Sequence, residues 1–334
     1  MLYFVVLGKN KKLSEWELSY IAKDIEYVTT NFATFQCEHP ERLPYLASCT
    51  KSWVIISEEE MEKLDFKLLG TNAKITSQDK KDYGIKRFKV VDLMKTDYEV
   101  KTKGTEILHV WGLIGHVINY QNIWLYEEID FNKPINSMNI GMMPSKLAHI
   151  MMNIATGLEE NQTVYDPFCG LGTMLFLANG LGHNTIGSDI NITPCKQNVK
   201  WWGLSKFNTE NKKHLFKHDV KDKFESPILK SVDCVVTEGF LWPVVKNYLS
   251  LKQAQFHEKE IQPIYIEWIK NLLELDIKNI TITLPAYNMM DKKIYHFHDT
   301  IKKIREFANV MLADEIYMRK NQKVGRMIIQ VRKK

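Results

Sequence analysis

The chain has 334 residues, of which 45% are hydrophobic, and carries a net charge of +5 from 45 Lys and Arg against 40 Asp and Glu; that is enough apolar side chain for two domains with cores of their own. No run of eighteen apolar residues could cross a membrane, Met1-Leu2-Tyr3-Phe4 enters an apolar strand without a basic signal-peptide head, and the five cysteines (Cys37, Cys49, Cys169, Cys195, Cys234) show neither C-x-x-C nor disulfide-framework spacing. A membrane span, a disulfide scaffold and a metal site are therefore not expected, and a cytoplasmic location is.

The chain opens on Leu2-Tyr3-Phe4-Val5-Val6-Leu7-Gly8, an unbroken apolar run that predicts a buried strand. Ser14 then reads as the N-cap of a helix over 15–25, with Glu17 at the N3 position of a capping box. Further segments at 27–35 and 52–56, an acid-rich helix at 58–64 and strands at 86–91 and 115–126 follow. Short strands mixed with helices predict an α+β domain over residues 1–132. Asn132-Lys133-Pro134-Ile135-Asn136-Ser137 has the composition of a linker, and a helix over 146–155 leads into a second domain, 138–334.

The second domain shows its chemistry at Val164-Tyr165-Asp166-Pro167-Phe168-Cys169-Gly170-Leu171-Gly172-Thr173. This is a short strand breaking into a glycine-bearing turn and then the apolar helix Met174-Leu175-Phe176-Leu177-Ala178, the nucleotide-binding corner of an open α/β sheet. A pyrophosphate would call for G-x-G-x-x-G; an acid ahead of the turn instead suits a cationic ligand, such as the amino acid end of S-adenosylmethionine. Thr185-Ile186-Gly187-Ser188-Asp189 is a second strand ending in a carboxylate, placed to hold two ribose hydroxyls. Leu215-Phe216-Lys217 leads into His218-Asp219, where the acid can accept from an adenine amine. Asp166, Asp189 and Asp219, with Phe168, Gly170 and Gly172 in the turn, are the candidate cofactor residues of a Rossmann-like class I methyltransferase sheet. Strands at 232–237 and 279–284, helices at 258–275 and 292–307, and two closing strands at 311–319 and 324–331 complete the pattern. His296-Phe297-His298 resembles a ligand pair, but at a helix start its side chains are expected to diverge, and it is read as structural. Residues 1–137 hold 18 basic against 20 acidic residues, and residues 138–334 hold 27 against 20. A polyanionic substrate would feel the excess of the second half.

On these residues, together with Met143-Pro144-Ser145-Lys146-Leu147-Ala148, Leu7-Gly8-Lys9-Asn10, Leu13-Ser14-Glu15-Trp16-Glu17-Leu18 and the segment 69–75, the chain resembles the THUMP-associated tRNA guanine N-methyltransferases. The resemblance is strongest over 138–334. It implies a ferredoxin-like, reduced THUMP-like region that docks RNA, S-adenosylmethionine as cofactor, tRNA as partner and a small activating protein as a second partner. It also implies a catalytic role for the residues after the fourth strand, where the family carries an acid or amide, prolines and an aromatic, as in D-P-P-Y. This chain departs from that pattern with Glu238-Gly239-Phe240-Leu241-Trp242-Pro243. Glu238 can still accept a proton from an exocyclic amine, and Phe240 or Trp242 can stack on a base taken out of its helix. A DNA amino-methyltransferase and a non-catalytic RNA-binding relative are the alternatives.

Overall fold

The apolar run at the start of the chain is a strand, β1 (Leu2–Val6), with Tyr3 to Val6 buried. The computed structural model describes residues 1–49, 51–57, 60, 74–77, 89–91, 106–110, 113–136, 143–241, 245, 247–319 and 322–334. They divide into two units, Met1–Gln121 and Asn122–Lys334. Most of the predicted helix at 58–64 and most of the segment 69–75 lie outside the described residues.

In the first unit β1 is followed by α1 (Lys11–Leu18), β2 (Ala22–Thr29), β3 (Phe32–Cys37), β4 (Lys51–Ile56), β5 (Lys74–Ser77), β6 (Lys89–Val91), β7 (Glu106–Val110) and β8 (Leu113–Tyr120). They form one sheet in the order β2-β3-β1-β4-β8-β7-β5-β6. The expected α+β class is present, but the expected helix over 15–25 is not: α1 ends at Leu18, and Ala22–Thr29 pairs with β3 as a hairpin. Ser14 lies inside α1, where its hydroxyl donates to the Asn10 carbonyl at 3.2 Å. Glu17 is fully buried. It accepts from the amides of Ala47 (2.8 Å) and Ser48 (2.7 Å) and from the Ser48 hydroxyl. The apparent capping box is thus a carboxylate that holds a loop distant in sequence.

The second unit begins earlier than residue 132. Where a strand is predicted through 126, Asn122 accepts from the amide of Leu125 at 3.2 Å and starts α2 (Ile123–Phe131). The Tyr126 hydroxyl on this helix pairs with His149 at 2.8 Å, on α3 (Ser145–Thr156). The predicted linker is pinned as well. Lys133 is 3% exposed, and the backbone of Ile135 exchanges two hydrogen bonds of 3.0 Å with the Asn198 side chain.

Beyond it come β9 (Thr163–Asp166), α4 (Thr173–Gly180), β10 (Asn184–Asp189), α5 (Thr193–Trp202), β11 (Lys213–Lys217), β12 (Cys234–Thr237), α6 (Leu251–Leu273), β13 (Asn279–Asn288), β14 (Ile294–His296), α7 (His298–Phe307), β15 (Ala308–Tyr317) and β16 (Val324–Lys333). The sheet runs β11-β10-β9-β12-β13-β16-β15. The first five strands in that order are parallel, and β16 inserts antiparallel between β13 and β15. This is the expected class I methyltransferase order closed by a hairpin. β9 lies between β10 and β12, so the order reverses there and leaves a crevice at the carboxyl ends of the strands. Tyr165, Tyr265, Trp268, Tyr287 and Phe297 anchor the core beneath it. Against the expected divergence, the rings of His296 and His298 stack with centroids 5.2 Å apart. Among the described residues, no group of three metal-binding side chains forms.

Glu17→Ala would strand two buried amides, which costs about 2–4 kcal/mol. Urea unfolding of the full chain is expected to show a loss of that size. A change below about 0.5 kcal/mol would mean that water replaces the carboxylate.

Candidate active site

A cleft of about 920 Å³ opens at the carboxyl edge of the second sheet. Asp166, Asp189, Asp219 and Glu238 line it, from the ends of β9, β10, β11 and β12 or just beyond them. Four neighbouring parallel strands therefore deliver four carboxyl groups to one cavity, and three of them are the acids predicted to hold a cofactor.

Asp166 is 3% exposed. Burial pushes its pKa up to about 7, against the pull of hydrogen bonds from Thr237 and the Phe168 amide, and the charges of Asp189 and Glu238 push the same way. Asp189 is half-buried, and its two oxygens each accept an amide, from Gly170 and Asn191, both at 2.9 Å. Asp219 accepts from the amide of Lys221 at 3.1 Å. Phe168 lines the cleft with its ring edge-on to Trp268, centroids 5.3 Å apart.

Gly170 also lines the cleft, but Gly172 does not. Gly172 has φ +90°, and a Cβ there would meet the Phe176 ring at 2.7 Å and Cys195 Sγ at 3.2 Å. Packing beneath α4 and the left-handed backbone both call for a glycine here.

At the end of β12 the Glu238-Gly239-Phe240 turn is tightly built. Arg326 Nε and Nη2 both lie 2.5 Å from Glu238 Oε1, with 5% of the arginine side chain and 21% of the glutamate exposed. Burial raises the Glu238 pKa, while the charge and hydrogen bond of Arg326 lower it. Gly239 has φ +72°, and a Cβ there would lie 2.7 Å from the Tyr265 hydroxyl. That hydroxyl accepts from the Phe240 amide at 3.0 Å and is within donating distance of the Thr283 carbonyl, 3.1 Å. The Thr283 hydroxyl in turn donates to the Glu238 carbonyl. Phe240 lines the cleft and packs partly on the core. Trp242, the other predicted stacking residue, lies outside the described residues.

The sequence reading missed Arg326, Tyr265 and Thr283. A signal for Arg326 was available: an arginine inside Val324-Gly325-Arg326-Met327-Ile328-Ile329 needs a partner if that strand is central. Its burial also removes it from the basic surface assigned to a polyanion.

S-adenosylmethionine presents a sulfonium and an α-ammonium on a nucleoside. The cleft fits such a group: a buried carboxyl raised by desolvation gains from a cation, and Asp189 and Asp219 retain acceptor capacity for hydroxyls and an amine. The family described as N6_N4_Mtase, DNA methylase, matches residues 9–200, more than half of the chain. The chain belongs to that family. Its match takes in Asp166, Gly170 and Asp189 and ends before Asp219 and Glu238. The methylase uses S-adenosylmethionine, as the acid ladder predicts.

Among curated relatives, a tRNA (guanine(10)-N2)-dimethyltransferase of Methanothermobacter thermautotrophicus is 29% identical over 101 residues, 29% of this chain and 27% of its own length. The protein of the same name from Methanocaldococcus jannaschii is 33% identical over 102 residues, 29% of this chain and 28% of its own. The matches thus span under a third of either relative. Among solved structures, an rRNA methylase from Streptococcus thermophilus shares 14% identity at a TM-score of 0.36, over 57% of this chain and 97% of that one. Magnesium protoporphyrin IX methyltransferase from Synechocystis, with bound SAM, shares 14% at 0.37, over 63% and 90%. Likenesses of this size add nothing to the strand order already described.

Gly239→Ala forces a side chain into the left-handed region and against Tyr265, at a cost of about 1–3 kcal/mol. Thermal unfolding should show the loss, and Tyr265→Phe should loosen the same turn with a smaller one. A methylase as stable as the wild type with alanine at 239 would contradict the geometry.

Proposed function

We propose that the chain transfers the methyl group of S-adenosylmethionine to the exocyclic amine of a guanine in tRNA, in the cytoplasm, with its first unit docking the RNA. The observation that carries the reading is the Glu238 carboxylate, held by Arg326 in the same cleft as Asp166. The two tRNA-modifying relatives and the basic excess of residues 138–334 support RNA as the substrate. The family's description names DNA methylase, so amino-methylation of DNA is the alternative to test, but the tRNA-modifying relatives speak against it.

When bound, the cofactor supplies a methyl group already activated on a sulfonium. Asp166, Phe168, Gly170, Asp189 and Asp219, which line the cleft, would hold it. A guanine amine is a poor nucleophile because its lone pair is delocalised into the ring. Transfer of that methyl to the nitrogen would leave one amine proton to be removed. Glu238 accepts that proton, and Phe240 stacks on the base. Burial outweighs the opposing pull of Arg326 and raises the Glu238 pKa, which makes its carboxylate a better proton acceptor. Because Arg326 engages Oε1, the other oxygen lies outside the ion pair. The remaining barrier falls through proximity.

The test is transfer of labelled methyl to tRNA, rRNA and duplex DNA, followed by mass spectrometry of the nucleosides. Label in tRNA as N2-methylguanosine is expected. Label confined to DNA supports the second reading, and label in none of the three overturns both. Glu238→Ala is expected to slow single-turnover methylation about a hundred- to a thousand-fold, the size seen for one lost transition-state contact, with RNA affinity nearly intact. Glu238→Gln should be milder. Arg326→Met removes the charge that lowers the Glu238 pKa, so the rising limb of the pH–rate profile should move to higher pH; an unmoved limb would detach Arg326 from the proton transfer.

A further inference from the structure

Lys133 lies in a stretch whose composition reads as a linker, yet it is 3% exposed. Its ammonium donates to the Thr173 hydroxyl at 2.5 Å, and among the described residues no carboxylate comes within ion-pairing distance of it. Asp130, the acid whose field it feels, is engaged by the amide and hydroxyl of Ser145 at 3.1 and 2.5 Å. Burial pulls the Lys133 pKa down to about 8, with Asp130 opposing. A buried cation held by one neutral hydroxyl is costly unless something negative completes it.

The surroundings sharpen the point. Thr173 is the first residue of α4, a helix capped by Gly172 without any side-chain hydrogen bond and with no acid in its first turn. The first amides of a helix have no intrahelical partner and carry the positive end of its dipole. The Lys133 ammonium therefore adds positive charge where positive charge already gathers. Thr173 and Met174 both line the cleft, on whose wall Asp166 also stands. Because the Thr173 oxygen accepts from Lys133, its own hydrogen remains to be donated. One wall of the cleft thus has a carboxyl, Asp166, that lacks a cation, while Thr173 and Met174 bring to it the amino end of α4, with the Lys133 ammonium buried behind the Thr173 hydroxyl.

We propose that Lys133, acting through Thr173 and the amino end of α4, forms the subsite for the carboxylate of the cofactor's amino acid. Lys133 is then a positioning residue: it polarises the Thr173 hydroxyl and supplies the counter-charge, while Asp166 takes the cationic end of the same zwitterion. The inference rests on S-adenosylmethionine being the cofactor. A Lys133 that merely props the glycine turn would influence the whole cofactor and not its carboxylate in particular.

Calorimetric titration of the full chain with S-adenosylmethionine and with decarboxylated S-adenosylmethionine separates these cases, because the two ligands differ by the carboxylate alone. The wild type is expected to bind the carboxylated ligand about ten-fold or more tightly. Lys133→Met should weaken that ligand by about ten- to a hundred-fold and change the decarboxylated one by less than about two-fold. Thr173→Val should show the same selective loss, and it carries the test if Lys133→Met does not fold. Equal losses for both ligands, or no loss for either, would overturn the proposal. A wild type that binds neither ligand would instead remove the cofactor reading on which the proposal stands.

Discussion

Asp166 ends β9 in the interior of the protein, with the amide of Phe168 and a hydrogen bond from Thr237 for company, and the two charged groups that influence it most, Asp189 and Glu238, are both acids. Desolvation and like charge together lift its pKa from the ordinary 3.8 to about 7. Between those values the folded chain keeps a proton that the unfolded chain has lost, so this group subtracts stability as pH rises through that window. Folding alone gives no need for such a residue. The strain is understandable as preparation for a cation, and the strand order makes it unavoidable: β11, β10, β9 and β12 are neighbours, and an acid lies at or just beyond the end of each. Cofactor binding and folding are coupled through that one carboxyl.

The turn after β12 handles its charge in the opposite way. Glu238 is also desolvated, but Arg326 reaches it from β16, the strand inserted antiparallel beside β13. One acid of the cleft therefore awaits a ligand, while the other already has a cationic partner within the protein. In this turn the methylase uses a glycine in a left-handed conformation with the Tyr265 hydroxyl against its backbone. Rigidity comes from α6 and from Thr283 on β13, not from the turn residues themselves.

Much of the second unit is legible in sequence because its signals are local. A strand, a glycine turn and an apolar helix follow one another within about twenty residues, and three acids recur at successive strand ends. The features that were hidden all depend on partners distant in the chain. Glu17 imitates a capping box, but its acceptors serve Ala47 and Ser48. Lys133 sits between Asn132 and Pro134 in a stretch of linker composition, and only the fold brings Thr173 to it. Arg326 counts toward net charge in the sequence and toward the active site in the structure. Gly172, part of the same local motif, also makes room for the Phe176 ring, a packing role that the motif does not display.

The central claim is that Asp166 waits, protonated, for a cationic cofactor, and the direct measurement is the number of protons released when S-adenosylmethionine binds. Calorimetry at pH 6 in two buffers of different ionisation enthalpy gives that number. With a carboxyl near pKa 7 the wild type should release close to one proton per cofactor bound, and Asp166→Asn should abolish that release. Binding with no proton released, or a release that persists in Asp166→Asn, would contradict the claim.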